Sequence, residues 1–325
     1  MATTIRHATL TRRCMNATAI ATRGRVISPP ARGTERQSEV RPPKLRPVGF
    51  CAVAQLSEQR WTELINLWLH ELRGWDEYWI ENGHDVEGGS DLALDDRLLP
   101  GAPTSGSAIL GIQSAVDHLG VLGDALRASG VRRPFGYFTL ARAAMFASAR
   151  TIWILSPDER ECRQERGLWM EWQSDRYFSK TLVQFQEQPD PGPRAVANDL
   201  ADRVASHQAM LSAAAASLGV DLVPRRAPTD TEIVEEAGRW LEGMDVDINL
   251  GSGLAWQWRT HSGTAHSFPW VMVGKVDLET VYADGTGEGA LTPSLEDLGV
   301  AFGTAIRATR EAIRLFVTRA SGSSE

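Results

Sequence analysis

Cysteine is scarce in this chain, with three in 325 residues, and Cys14, Cys51 and Cys162 share neither metal-type nor disulfide-type spacing. That argues against a stapled secreted scaffold and makes a reducing cytoplasm the expected setting. Long apolar runs are missing too. The most apolar helix candidate, residues 138–155, is interrupted by Arg142 and Arg150, well short of the roughly 18 uninterrupted apolar residues a membrane span requires. No membrane association is expected.

Several catalytic signatures are absent: a phosphate-cradling glycine loop after a strand, His-Glu-x-x-His, and the Gly-x-Ser-x-Gly elbow. The seven histidines include no pair at i and i+4 with a carboxylate beside it, the spacing a helical metal site would need. Neither a metal nor another cofactor is expected.

Sequence composition is otherwise that of a globular protein, at 42% hydrophobic and 23% charged, enough apolar content for a sizeable core. Charge is unevenly distributed. Residues 1–48 hold ten Lys and Arg against two Glu, a net of +8, which leaves 24 basic and 39 acidic residues in 49–325, a net of −15. An acidic body disfavours a broad nucleic-acid footprint. The head, proline-bearing and without apolar period, reads as a disordered tail. An Arg-rich transit peptide, a basic nucleic-acid arm, or a start assigned upstream of Met15 are the readings open for it.

After the tail, periodicity is helical. Trp61, Leu64, Trp68, Trp75 and Tyr78 recur at steps of three, four and seven, with Ile65, Leu72 and Trp79 beside them, a wide aromatic face suited to core burial. Ser57 is placed to cap this helix and Gly83 to end it. Residues 83–105 read as a long polar loop. Helices are expected over 106–129, 139–155, 156–186, 194–218, 229–243, 250–266 and 294–319. Ser156-Pro157 signals one start and Thr229 with Glu232 a capping box for another. Within the fourth, Arg160, Glu161, Arg163, Gln164, Glu165 and Arg166 read as a solvated charged turn. The fold expected is therefore all-α, a bundle of seven or eight helices with a small β-hairpin near 270–290. Its domains are the tail at 1–48, a bundle at 49–320 and a frayed end at 321–325.

One stretch is chemically suggestive: Arg259-Thr260-His261-Ser262-Gly263-Thr264-Ala265-His266. In a helix Arg259, Ser262 and His266 share a face at steps of three and four, while His261 points elsewhere. His266 could move a proton near neutral pH, and Arg259 could stabilise charge on a phosphoryl oxygen. The bland alternative is a polar lock, with Arg259 on a carboxylate and His266 on a carbonyl.

Arg259 and His266, with six residues between them on a late helix, resemble the Arg-x(4 to 6)-His motif of the HEPN superfamily. That resemblance implies a metal-independent ribonuclease acting as a homodimer, with RNA as substrate and Arg259 and His266 as the matched positions. Separately, the run from Leu140 to Gly167 and the segment Trp258 to Trp270 are similar to a bacterial family of all-helical proteins. Its marks are a long helix ending in Trp-x-Leu-x-Pro (Trp153 to Pro157) and a later Ser-Gly-x-x-His (Ser262 to His266). That likeness covers most of 57–318 and implies no activity. Two functions thus stand as expectations: a non-enzymatic interaction or assembly module, or a ribonuclease using Arg259, Ser262 and His266.

Overall fold

The computed structural model describes residues 56–322 apart from 82–84, 129–132, 245–249, 269–275, 282–286 and 292. The tail at 1–48, the glycine stop at 83 and the last three residues lie outside the described residues. Among the described residues nine α-helices follow in order: α1 (Glu58–Asp76), the five-residue α2 (Asp91–Asp95), α3 (Thr104–Ala128), α4 (Pro134–Leu155), α5 (Arg160–Gln186), α6 (Pro191–Ser217), α7 (Asp230–Met244), α8 (Leu250–Ala265) and α9 (Leu295–Ala320). Between α8 and α9 the backbone of Val276–Val281 pairs antiparallel with that of Gly287–Leu291. The architecture is an all-α bundle.

Helix α4 is the axis. Ala141, Ala144, Met145, Ala149 and Ile152 are all but sealed from solvent, and α4 touches α3, α5, α7, α8 and α9. The hydroxyls of Ser148 and Thr309, 2.8 Å apart, join it to α9 inside the core. Small residues set the close approaches. A Cβ on Gly111 of α3 would meet Ala147 O of α4 at 3.0 Å.

Helix α1 starts as its sequence says, with Ser57 Oγ accepting from Arg60 N at 3.2 Å. Its core face is Trp61, Ile65, Trp68 and Leu72, and in the π-helical turn Glu77–Glu81 that continues it Trp79 is buried whereas Tyr78 is exposed. Trp61 and Trp68 lie against Gly299 and Gly303 of α9, where a Cβ would overlap the indole rings. Trp68 meets Phe302 edge-on at 6.1 Å and Trp79 meets Phe316 at 5.4 Å. Aromatic burial at helical spacing therefore serves the core.

Segment 83–105 is not the loose loop its polarity suggested. Ser90 caps α2, and Asp95 takes a bidentate pair from Arg163 at 2.7 and 3.0 Å, both side chains fully buried. Arg163 Nη1 also donates to the carbonyls of Pro157 and Asp158 at 3.0 and 2.7 Å. Those carbonyls are drawn into the link instead of a first helical turn, and α5 begins only at Arg160, after Ser156 has closed α4. Arg163 and Gln164, expected in solvent, are thus core residues. Burial pushes the Asp95 carboxyl up, against the opposing pull of Arg163.

Helices α5 and α6 form an antiparallel hairpin. Its inner half packs Leu168, Leu211, Ala214 and Ala215 on Leu98, Leu99 and Ala102. Its outer half has a separate small cluster, Leu182, Ala197 and Val204, edged by Leu200 and Ala201. At 27 residues α5 is about 40 Å long, so the outer half is an arm. Gly219, at φ +70, closes α6 with Val220 N bonded to Ala215 O at 2.9 Å, the left-handed stop that glycine favours.

Candidate functional site

Helix α8 presents the suggestive stretch, and the structure sends its residues to different neighbours. Arg259, half-exposed at 52%, is ion-paired with Glu235 of α7. Ser262 accepts from Arg142 Nε of α4 at 2.6 Å and donates to Trp258 O at 2.7 Å. His266 is exposed, its ring 5.8 Å from that of Phe268. Among the described residues no side-chain hydrogen bond or ion pair joins any two of the three. His261, expected to point elsewhere, is buried and stacks on Phe138 at 4.5 Å and 7°.

The helix ends just at this point. Phe268 N bonds Gly263 O at 2.9 Å and Ser267 N bonds Thr264 O at 3.1 Å, with Ser267 at φ 57. This is the paired-bond stop of a helix C-terminus, built here on serine. His266 therefore sits on the last turn, where its backbone N still reaches Ser262 O at 3.0 Å.

Ser262 belongs to a second arrangement that sequence reasoning did not assemble. The Arg142 guanidinium lies 5.3 Å from the Trp258 ring. Trp258 stacks on Phe146 at 6.0 Å, and the Arg150 guanidinium lies 5.9 Å from the Phe146 ring. Arg142, Phe146 and Arg150 are four residues apart in turn, so they share one face of α4. The result is a ladder, cation on ring, ring on ring, ring under cation. Each ring attracts the guanidinium above it through its electron-rich face.

At one end Arg142 spends its Nε on Ser262, and at the other Arg150 spends its Nε on Met170 Sδ at 3.3 Å. Among the described residues neither has a carboxylate within ion-pair distance. Burial pulls the pKa of both down, partly offset by the more distant Asp230 and, at Arg150, Glu171. Glu171 itself accepts from Ser107. The one advance signal was the pair of cations inside the most apolar helix candidate.

Around α7 lies a cleft of about 420 Å³, with Trp153, Arg225, Arg239, Glu232, Glu235 and Glu236 among its walls. Its carboxylates are already engaged. Glu236 takes Trp153 Nε1 at 2.9 Å and an ion pair from Arg166. Glu232 closes the capping box with Thr229 at 2.7 Å, and these bonds to Thr229 hold its carboxyl below the usual range. Glu235 holds Arg259. Among the described residues no three His, Cys, Asp or Glu cluster as metal ligands, and no helix is long and apolar enough to cross a membrane.

Comparison with family models, with curated proteins and with solved structures finds no match to this chain.

Proposed function

We propose that this chain is a non-catalytic assembly module whose α5–α6 arm docks on the arm of a second copy. The observation that carries this reading is the apolar side of the arm: Phe178, Phe185 and Val196 are 42%, 49% and 62% exposed. Successive helical residues turn by about 100°. Phe178 and Phe185 therefore fall on one side of α5, beside the line that buries Leu182. Val196 falls on the same side of the antiparallel α6, next to Ala197. Full burial of each such side chain contributes about 1.5–3 kcal/mol, while the arm's own cluster has only three buried members.

Charge favours a like partner. Residues 173–204 carry four basic and five acidic side chains, against the net −15 of residues 49–325. Two arms can meet without the repulsion that two bodies would suffer. Two hairpins side by side make a four-helix arrangement, a stable way to bury helix faces. Light scattering on the eluting full chain should report a dimer. Phe178→Ser with Phe185→Ser should return a monomer with unchanged helicity, and a wild type that stays monomeric at all concentrations would sink the reading.

The alternative, a metal-independent ribonuclease, draws support from the exposure of both Arg259 and His266. Glu235 weighs against it by neutralising the guanidinium that would have to face a phosphate. Labelled RNA incubated with wild type and with His266→Ala in the presence of a chelator decides it. Equal lack of cleavage by both removes this reading.

A further inference from the structure

We propose that Arg142 and Arg150 are the two prongs of a phosphate-binding site on the exposed edge of the α4 ladder, independent of how the arm assembles. Three observations converge on these residues. First, each guanidinium is oriented by the protein through Nε alone, onto Ser262 Oγ at 2.6 Å and Met170 Sδ at 3.3 Å. Among the described residues the Nη groups of both make no hydrogen bond, and none is a sealed buried atom. A guanidinium held this way presents a free fork, the geometry that matches two oxygens of an oxyanion.

Second, both side chains are partly buried yet have no carboxylate within ion-pair distance among the described residues, unlike Arg163, Arg166, Arg259, Arg310, Arg314 and Arg319. A charge taken partly out of water without a partner is costly. An arriving anion would offset that cost. Third, the stack through Trp258 and Phe146 fixes the two forks on one helix face, their backbones two turns, about 12 Å, apart. Little side-chain freedom remains to be lost on binding.

Spacing points to a ligand with more than one phosphoryl group, a polyphosphate or a phosphodiester chain, in preference to a lone phosphate. The carboxylates that act on the pair do so only at a distance, Asp230 of α7 on both arginines and Glu171 of α5 on Arg150.

The test is calorimetric titration of the full chain with tripolyphosphate, with inorganic phosphate and a short single-stranded oligonucleotide as separate arms at equal ionic strength. Expected is saturable binding of tripolyphosphate, about tenfold tighter than phosphate, and about tenfold weaker in Arg142→Gln or Arg150→Gln, roughly 1.4 kcal/mol. Arg150→Lys keeps the charge and stem but loses the fork, and should weaken binding as well. Oligonucleotide binding with the same dependence would identify a phosphodiester source, and binding of tripolyphosphate alone a free polyphosphate. Arg225→Gln with Arg239→Gln should leave affinity unchanged. Absence of binding to wild type, equal binding by the Arg142 and Arg150 variants, or loss only in the Arg225 and Arg239 pair would overturn the proposal.

Discussion

Replacing Arg163 by methionine would strip a buried carboxylate of its counter-ion. Asp95 accepts two bonds from that guanidinium and is itself fully buried, while the other cation near it, Arg160, is 3.7 Å away and 43% exposed. Removing one member of such a pair costs about 3–5 kcal/mol. The loss at Arg163 is softened because the Pro157 carbonyl keeps a donor, Arg319 Nη2 at 3.2 Å. Asp95→Leu should be the worse single change. A carboxyl can escape by taking a proton, but an arginine cannot shed its charge.

The double variant, Asp95→Leu with Arg163→Met, leaves no buried charge and should be more stable than either single one, since apolar replacement of a buried pair is often close to neutral. Urea unfolding of the four proteins measures the cycle, provided the slopes agree. A pH series adds a sign. Burial raises the Asp95 pKa in the folded chain, and loss of Arg163 removes the largest opposing pull. The native Arg163→Met protein therefore binds a proton more readily than the unfolded chain, and its stability should fall as pH rises from the unfolded carboxyl value through the folded one. Single variants that each lose under about 1 kcal/mol, or a double variant equal to their sum, would refute the account.

Two further expectations are independent of that pair. Gly303→Ala gains helix propensity of about 1 kcal/mol, but its new methyl would lie 2.5 Å from Trp68 Cη2. Overpacking costs of about 1–3 kcal/mol should prevail, read as a lowered thermal midpoint with changed indole fluorescence. Ser267→Gly relieves a non-glycine residue at φ 57 and should stabilise by about 1 kcal/mol. An unchanged denaturation midpoint would dismiss that expectation.

Local signals in the sequence located most helices. Ser57, Thr229 with Glu232, Ser294 and Gly219 each act through neighbours one turn away, and such short-range chemistry is written in adjacent letters. Trp61, Trp68 and Trp79 were equally readable as core. What failed was long-range. Arg163 looked solvated because its stretch is densely charged, and nothing local discloses that Asp95, 68 positions earlier, would fold over it. The start of α5 was misplaced for the same reason, since the Pro157 and Asp158 carbonyls were claimed by that buried cation. Arg259 and Ser262 lie on α8 and His266 directly follows its last residue, but spacing along one helix does not reveal which neighbours compete for each side chain. Glu235 and Arg142 come from two other helices.

The separateness of the small cluster at Leu182, Ala197 and Val204 has a bearing on how this protein could change over generations. Because little outside the hairpin rests on those three side chains, whole heptads could be inserted into or deleted from both of its strands of helix together, altering reach without unsettling the Trp-rich interior. Reach would then be a quantity free to drift, and lineages carrying the same body could differ chiefly in the length of this projecting pair.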